Sequence, residues 1–183
     1  MTGGLKLSDK DGLASVLPAG GTTLVSSCSA HSRALHAMVG TAGNRLGDMR
    51  FTGIFVPGFN TQPWVAGEQS RLATFFQTPE LRALGDRVDF LPLNYTQIRS
   101  WFDRHPPDAV LFMCSPPDED GFCSFGTECS FVADLWDKAQ HRIAHVNPLM
   151  PRPAGNRGIP WQEITAYVEA EQPLLSTPAA LPD

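Results

Sequence analysis

Apolar runs of strand length alternate along the chain with stretches whose apolar positions recur every three or four residues. The longest run, Ala109-Val110-Leu111-Phe112-Met113-Cys114, is unbroken. It has the length of a strand buried on both faces and is far too short to cross a membrane. Ser115-Pro116-Pro117 ends it, because a proline cannot donate to a ladder, and Asp118-Glu119-Asp120-Gly121 follows as an acidic turn. A buried parallel strand that opens into a stiff loop is where ligands bind in open α/β sheets.

Weaker strand patterns stand at residues 22–26, 51–56, 88–93 and 141–147, the third demoted to a short or edge strand by Pro92. Between them, apolar spacing predicts helices over 33–39, 68–77, 95–104 and 128–139, with Ser29 or Ser32 capping the first and Thr127 the last. Such alternation implies βαβ units. The expected fold class is therefore α/β, a mainly parallel sheet flanked by helices. Residues 1–172 read as one domain and 173–183 (PLLSTPAALPD) as a proline-rich tail, a linker or docking segment.

Composition narrows this picture. A chain of 183 residues suits one domain with a sizeable core, and a charged share of 18% is light enough to suggest a surface covered by a partner. Net charge −5 without a basic run argues against nucleic acid or an anionic membrane as partner. The polar opening MTGGLKLSDKDG lacks the apolar core of a signal peptide or anchor. Cys28, Cys114, Cys123 and Cys129 form no C-x-x-C, so the expectation is reduced thiols in a cytoplasmic protein and no metal site.

If the sheet is parallel, three strand-end loops converge: 26–32, 115–126 and 147–155. Ser26, Ser27 and Ser29 lie at a helix N-terminus, where free N–H groups favour an oxyanion or carboxylate; the alternative is that they serve only as caps. Cys28 and His31 are three apart, the spacing of a Cys–His nucleophile, although thiols between a strand and a helix more often pack, as at Cys114. Asp118, Glu119 and Asp120 have the chemistry for acid–base work or Mg²⁺, but the simpler reading is a solvated face. Arg152, between two prolines and near Gly155, suits a carboxylate or phosphate anchor.

These loops carry a resemblance. Residues 114–126, CSPPDEDGFCSFG, resemble the SPPDEHGYxSLG segment of the acetyl-CoA hydrolase/4-hydroxybutyrate CoA-transferase branch of the family I coenzyme A transferases. Residues 147–155, NPLMPRPAG, are similar to that family's NxxMPRTxG loop, in the same order with a helix and a strand between; 17–39 looks like its opening strand, loop and helix. The likeness covers nearly the whole chain but only the N-terminal of the family's two α/β halves. It implies acyl transfer between a CoA thioester and a carboxylate through a covalent glutamyl intermediate, with CoA thioester as substrate and no covalently bound cofactor. That glutamate belongs to the second half, so the resemblance assigns no catalytic residue to this chain and implies a partner that carries it. It implies that Ser26, Ser27 and Ser29 lie near the oxyanion, and that Ser115, Pro116, Asp118, Glu119, Asn147, Met150, Arg152 and Gly155 shape a substrate pocket. Two positions depart from the pattern: Asp120 replaces the family's histidine and Pro153 its threonine. Two other readings stand beside this one. One is a repurposed CoA-ester hydrolase, decarboxylase or acyltransferase subunit using Cys28 or Cys114; the other is a non-catalytic structural or acyl-binding partner.

Overall fold

The computed structural model describes residues 3–7, 12–128 and 130–176. In chain order its elements are β1 (Leu5–Lys6), α1 (Gly12–Val16), β2 (Thr22–Val25), α2 (Arg33–Ala42), β3 (Arg50–Gly53), β4 (Arg71–Thr74), α3 (Pro79–Arg82) and β5 (Val88–Phe90). Then come α4 (Tyr95–Arg104), β6 (Ala109–Cys114), β7 (Phe122–Cys123), α5 (Val132–Leu135), β8 (His141–Val146), β9 (Ile159–Pro160) and β10 (Ala166–Glu169). Eight strands make one sheet in the order β1-β10-β8-β6-β2-β3-β4-β5, every neighbouring pair parallel. The fold is α/β, as expected. β7 and β9 form a separate antiparallel ribbon.

β6 is buried at all six positions, and its side chains alternate between two cores. Ala109 and Leu111 join Leu35, Phe51 and Trp64 on one face, while Val110, Phe112 and Cys114 join Phe102, Val132 and Leu135 on the other. That two-sided burial is why the sequence shows a continuous run there instead of alternation. From β2 the chain moves outward through β3, β4 and β5, then returns to β6 on the opposite side of β2. The strand order therefore reverses between β2 and β6, and their carboxyl ends flank the crevice where ligands of such sheets bind.

Two expected helices are corrected. Residues 68–77 hold a strand, β4, whose Leu72 and Ala73 are both buried. Pairing with β3 along four residues outweighs the helical spacing of Leu72, Phe75 and Phe76. The helix expected over 128–139 is one short turn at Val132–Leu135 followed by a 3-10 turn at Trp136–Lys138; Phe131 stands at its N-cap with no side-chain cap, so Thr127 does not cap it. By contrast α4 spans Tyr95–Arg104 as expected and carries an Asn94/Gln97 capping box, each side chain accepting the other's N–H at 3.0 Å. Cys114 and Cys123 are free thiols; Cys129 and the tail from 177 onward lie outside the described residues. No helix among the described residues is long and apolar enough to cross a membrane.

Candidate functional site

The loop after β2 leaves the sheet with the Ser26 N–H donating to Leu111 O at 2.8 Å. It then turns sharply: Cys28 has φ 51, the one non-glycine among the described residues in the left-handed region, and starts a 3-10 turn to Ala30. Strain of that kind costs about 1–3 kcal/mol and persists only where neighbours hold it. Here Asn60, from the loop after β3, is the holder. Its Oδ1 accepts the Cys28 N–H at 3.1 Å and the Val56 N–H at 3.0 Å, and its Nδ2 donates to Cys28 O at 3.1 Å.

From the other side the loop meets Glu128. The Glu128 carboxylate oxygens accept the N–H groups of Ser27 at 3.3 Å and Ser130 at 2.8 Å. Burial lifts this carboxyl to about 7, although its contacts with Ser130 and Ser27 favour the ionised form. The expected oxyanion loop is thus partly committed. Ser26 donates its hydroxyl to Ala30 O at 2.8 Å and Ser29 makes a long bond to Thr127 O at 3.4 Å, whereas the fully buried Ser27 hydroxyl has no partner. A buried unsatisfied donor costs about 1–3 kcal/mol, and Ser27 is the serine of this loop whose hydroxyl carries that cost. Ser32 caps α2 by accepting the Leu35 N–H at 3.0 Å and is bonded to His145 Nδ1 at 2.8 Å. His145 Nε2 faces Ala170 O at 2.9 Å, and a carbonyl only accepts. Nε2 therefore carries the proton and Ser32 donates to Nδ1. Burial lowers the His145 pKa, which favours the neutral ring this arrangement uses.

The loops after β6 and β8 are built differently, because their polar groups are engaged with one another. Asp118 accepts the Phe122 N–H at 2.7 Å, which together with Arg152 and Arg157 holds its carboxyl below the usual range. Arg152 reaches Asp118 at 3.2 Å, Phe122 O at 3.2 Å and Pro116 O, so its guanidinium closes the NPLMPRPAG loop onto the SPPDEDG loop. Ser115 Oγ accepts the Ser124 N–H at 2.8 Å and donates to Pro116 O at 3.0 Å. Met150 is buried against Gly126, which has φ +58; a Cβ there would collide with the Met150 thioether. Close packing of the two motifs thus requires that glycine. Asn147 is fully buried: Oδ1 accepts the N–H groups of Leu149 at 3.1 Å and Gln172 at 3.2 Å, and Nδ2 donates to Gln172 O at 2.7 Å. Pro116, Glu119 and Gly155 are exposed at the rim, Asp120 pairs with Arg157 at 3.3 Å, and a cavity of about 390 Å³ lies between Asp118, Arg152 and Gly155. Burial pushes the Cys114 thiol up, which opposes thiolate formation there. Among the described residues no group of His, Cys, Asp or Glu is arranged to hold a metal.

Three residues at this edge carry no motif. Asn60 and Glu128 hold the β2 loop, and Gln172 ties it to the loop after β8. The Gln172 Oε1 accepts the Arg33 N–H at 2.8 Å and its Nε2 donates to His31 O at 2.8 Å. Beyond it, Leu174 packs on Ala30, Met113 and Met150, and the Leu175 N–H donates to Ser29 O at 3.3 Å. The described start of the tail therefore lies across the strand ends. Only tertiary context exposes these roles, since nothing in the local pattern marks an asparagine, glutamate or glutamine as buried.

A parallel sheet with its strand order reversing between β2 and β6, and two motif loops clasped at the ends of β6 and β8, define an α/β fold with one ligand-binding edge. Comparison with known proteins finds this fold and part of this sequence among CoA-transferases. No family model matches the chain. It is 37% identical to the 4-hydroxybutyrate coenzyme A transferase of Clostridium kluyveri over 91 residues, which is 49% of this chain and 21% of that protein. Its fold resembles RipA from Yersinia pestis with TM-score 0.82 at 22% identity, covering 98% of this chain and 45% of that one. It also resembles a 4-hydroxybutyrate CoA-transferase from Porphyromonas gingivalis, TM-score 0.65 at 17% identity, over 93% of this chain and 40% of that one. The chain thus spans less than half the length of these two structures, and a smaller share of the curated relative is aligned.

Proposed function

We propose that this chain is the α-type subunit or N-terminal half of an enzyme that moves CoA, or an acyl group, between an acyl-CoA thioester and a carboxylate. The observation that carries the reading is the Arg152 clasp, which fixes the two motif loops together beside the reversal point of the sheet. A partner half supplies the nucleophilic glutamate. This chain contributes a wall of the site: the β2 loop, with the Ser27 hydroxyl toward the developing oxyanion, and the rim of Pro116, Glu119 and Gly155 along the acyl or acceptor pocket. Ser115, Asp118, Asn147, Met150 and Arg152 act by holding that rim in place.

The test is reconstitution. The chain is expected to show no exchange of CoA between acyl-CoA and a free carboxylate by itself, and to form a stable complex that performs it with a second half bearing the glutamate. A complex that forms and exchanges nothing, together with an unchanged result when Ser27 is substituted, favours the binding-partner reading.

Cys28 supports a second reading. Its position in a strained turn after a strand, at the carboxyl edge and only part-buried, presents a thiol as strand-turn-helix nucleophiles are presented. Cys28→Ser with full retention of activity in the reconstituted complex removes that reading.

A further inference from the structure

At the carboxyl edge, beside the β2 loop, lies a cavity that neither motif explains. It has a volume of about 200 Å³ and is lined in part by His31, Arg33, Thr61, Gln62 and Leu175. This is smaller than the roughly 300–1,000 Å³ of pockets for drug-sized ligands, so it suits a group of a few heavy atoms. His31 is 3% exposed, and neither ring nitrogen makes a hydrogen bond of ordinary geometry within the chain. Its ring packs against His36 at 5.6 Å and Trp64 at 5.4 Å between centroids. Burial, the neighbouring His36 and, less strongly, Arg33 push its pKa down to about 4, against a side-chain contact with Gln62 that falls outside ordinary hydrogen-bond geometry. The imidazole is therefore neutral at physiological pH, with one N–H to donate and one nitrogen to accept.

Arg33 supplies the charge, and no carboxylate among the described residues pairs with it. The backbone of α2 does not supply it, because the Arg33 N–H is taken by Gln172 and the Leu35 N–H by Ser32. Asn60 is committed to Cys28 and Val56. What remains for a ligand is the Arg33 guanidinium, the buried His31 ring, whose one side-chain contact is an imperfect one with Gln62, and the polar end of Thr61. A guanidinium beside a neutral donor is the chemistry that recognises a carboxylate bidentately.

We infer that this cavity binds a small carboxylate, held by Arg33 and the buried His31 side chain. Its place beside the strained loop links it to the proposed transfer reaction, on which the choice between two sources of the carboxylate rests. It is either the free acid that accepts CoA or the far end of a dicarboxylic acyl chain whose thioester lies at Ser27.

The test is binding to the full chain without any partner, so it can fail or succeed independently of turnover. The protein, labelled at its histidines, is titrated with succinate and followed by the imidazole resonances. A saturable shift of His31, with affinity at least tenfold weaker in Arg33→Gln and no shift with butyramide, supports the site. Competition by a succinyl thioester of N-acetylcysteamine, but not by the butyryl thioester, assigns the carboxylate to the acyl chain. Succinate binding without that competition assigns it to the free acid. No shift with succinate, or equal binding by Arg33→Gln or of butyramide, overturns the proposal.

Discussion

The two sides of the carboxyl edge differ in how completely their polar groups are satisfied. On the β6/β8 side, Ser115, Asp118, Asn147 and Arg152 all have hydrogen-bond partners, and Arg152 bonds one loop to the other. On the β2 side, the Ser27 hydroxyl and both His31 nitrogens lack partners, Glu128 is a buried carboxyl near pKa 7, and Cys28 is strained. The side that resembles a known family is thus the more rigid one. The side with unsatisfied and perturbed groups, where functional chemistry concentrates, has the weaker resemblance.

The largest effect expected of breaking this contrast is on the saturated side. Asn147→Ala leaves the buried Gln172 N–H and carbonyl without partners and is expected to cost about 3 kcal/mol, read as a lower urea midpoint with unchanged m-value.

A comparable effect on the β2 side depends on pH. The folded pKa of His31 lies near 4, below its usual 6.5, so the unfolded chain binds more protons between these values. Stability therefore rises with pH across that window, by about 3 kcal/mol in total. Glu128 has the opposite sign: its folded pKa near 7 exceeds its usual 4.5, so the folded chain holds the proton longer and stability falls as pH rises from 4.5 to 7, by about 3 kcal/mol. His145, with its pKa also lowered, adds to the histidine slope. The two slopes oppose each other between about pH 4.5 and 6.5 in the native protein. Glu128→Gln should expose a rising profile and His31→Gln a less steeply rising or falling one, measured as urea stability at pH steps. Parallel profiles in both variants would remove the asymmetry between these groups.

Gly126→Ala forces a side chain into a left-handed backbone and against Met150, for an expected loss of about 2 kcal/mol and a lower melting temperature. Arg152→Ala is the mildest. Its partners are solvent-exposed, so the expected loss is about 1 kcal/mol, with faster amide exchange at Gly121 and Phe122 as the more sensitive readout.

How much of this was legible depends on what shows in local pattern. β6 and its loop read directly, because two-sided burial produces an unbroken apolar run and prolines mark its end. α4 read to the residue, since Ile98 and Phe102 recur on a single face. β4 did not: a four-residue strand buried on both faces leaves Leu72, Phe75 and Phe76 at spacing that a helix also gives. The segment from 128 failed because Glu128 turns inward, where a helix start would present it to solvent. β10 passed unnoticed, its four residues being too few for alternation to register. The three loops do follow the carboxyl ends of β2, β6 and β8, a position that the strand patterns alone disclose. Asn60, Glu128 and Gln172 are not disclosed in that way, since a buried polar residue is recognised only by the partners that the fold brings to it.

The most direct test of the account is intact-mass analysis of this chain and its reconstituted partner after incubation with acyl-CoA. The account predicts a covalent CoA adduct on the partner's glutamate and an unmodified mass for this chain. An acyl or CoA adduct on this chain, at Cys28 or at any of its glutamates, would contradict it.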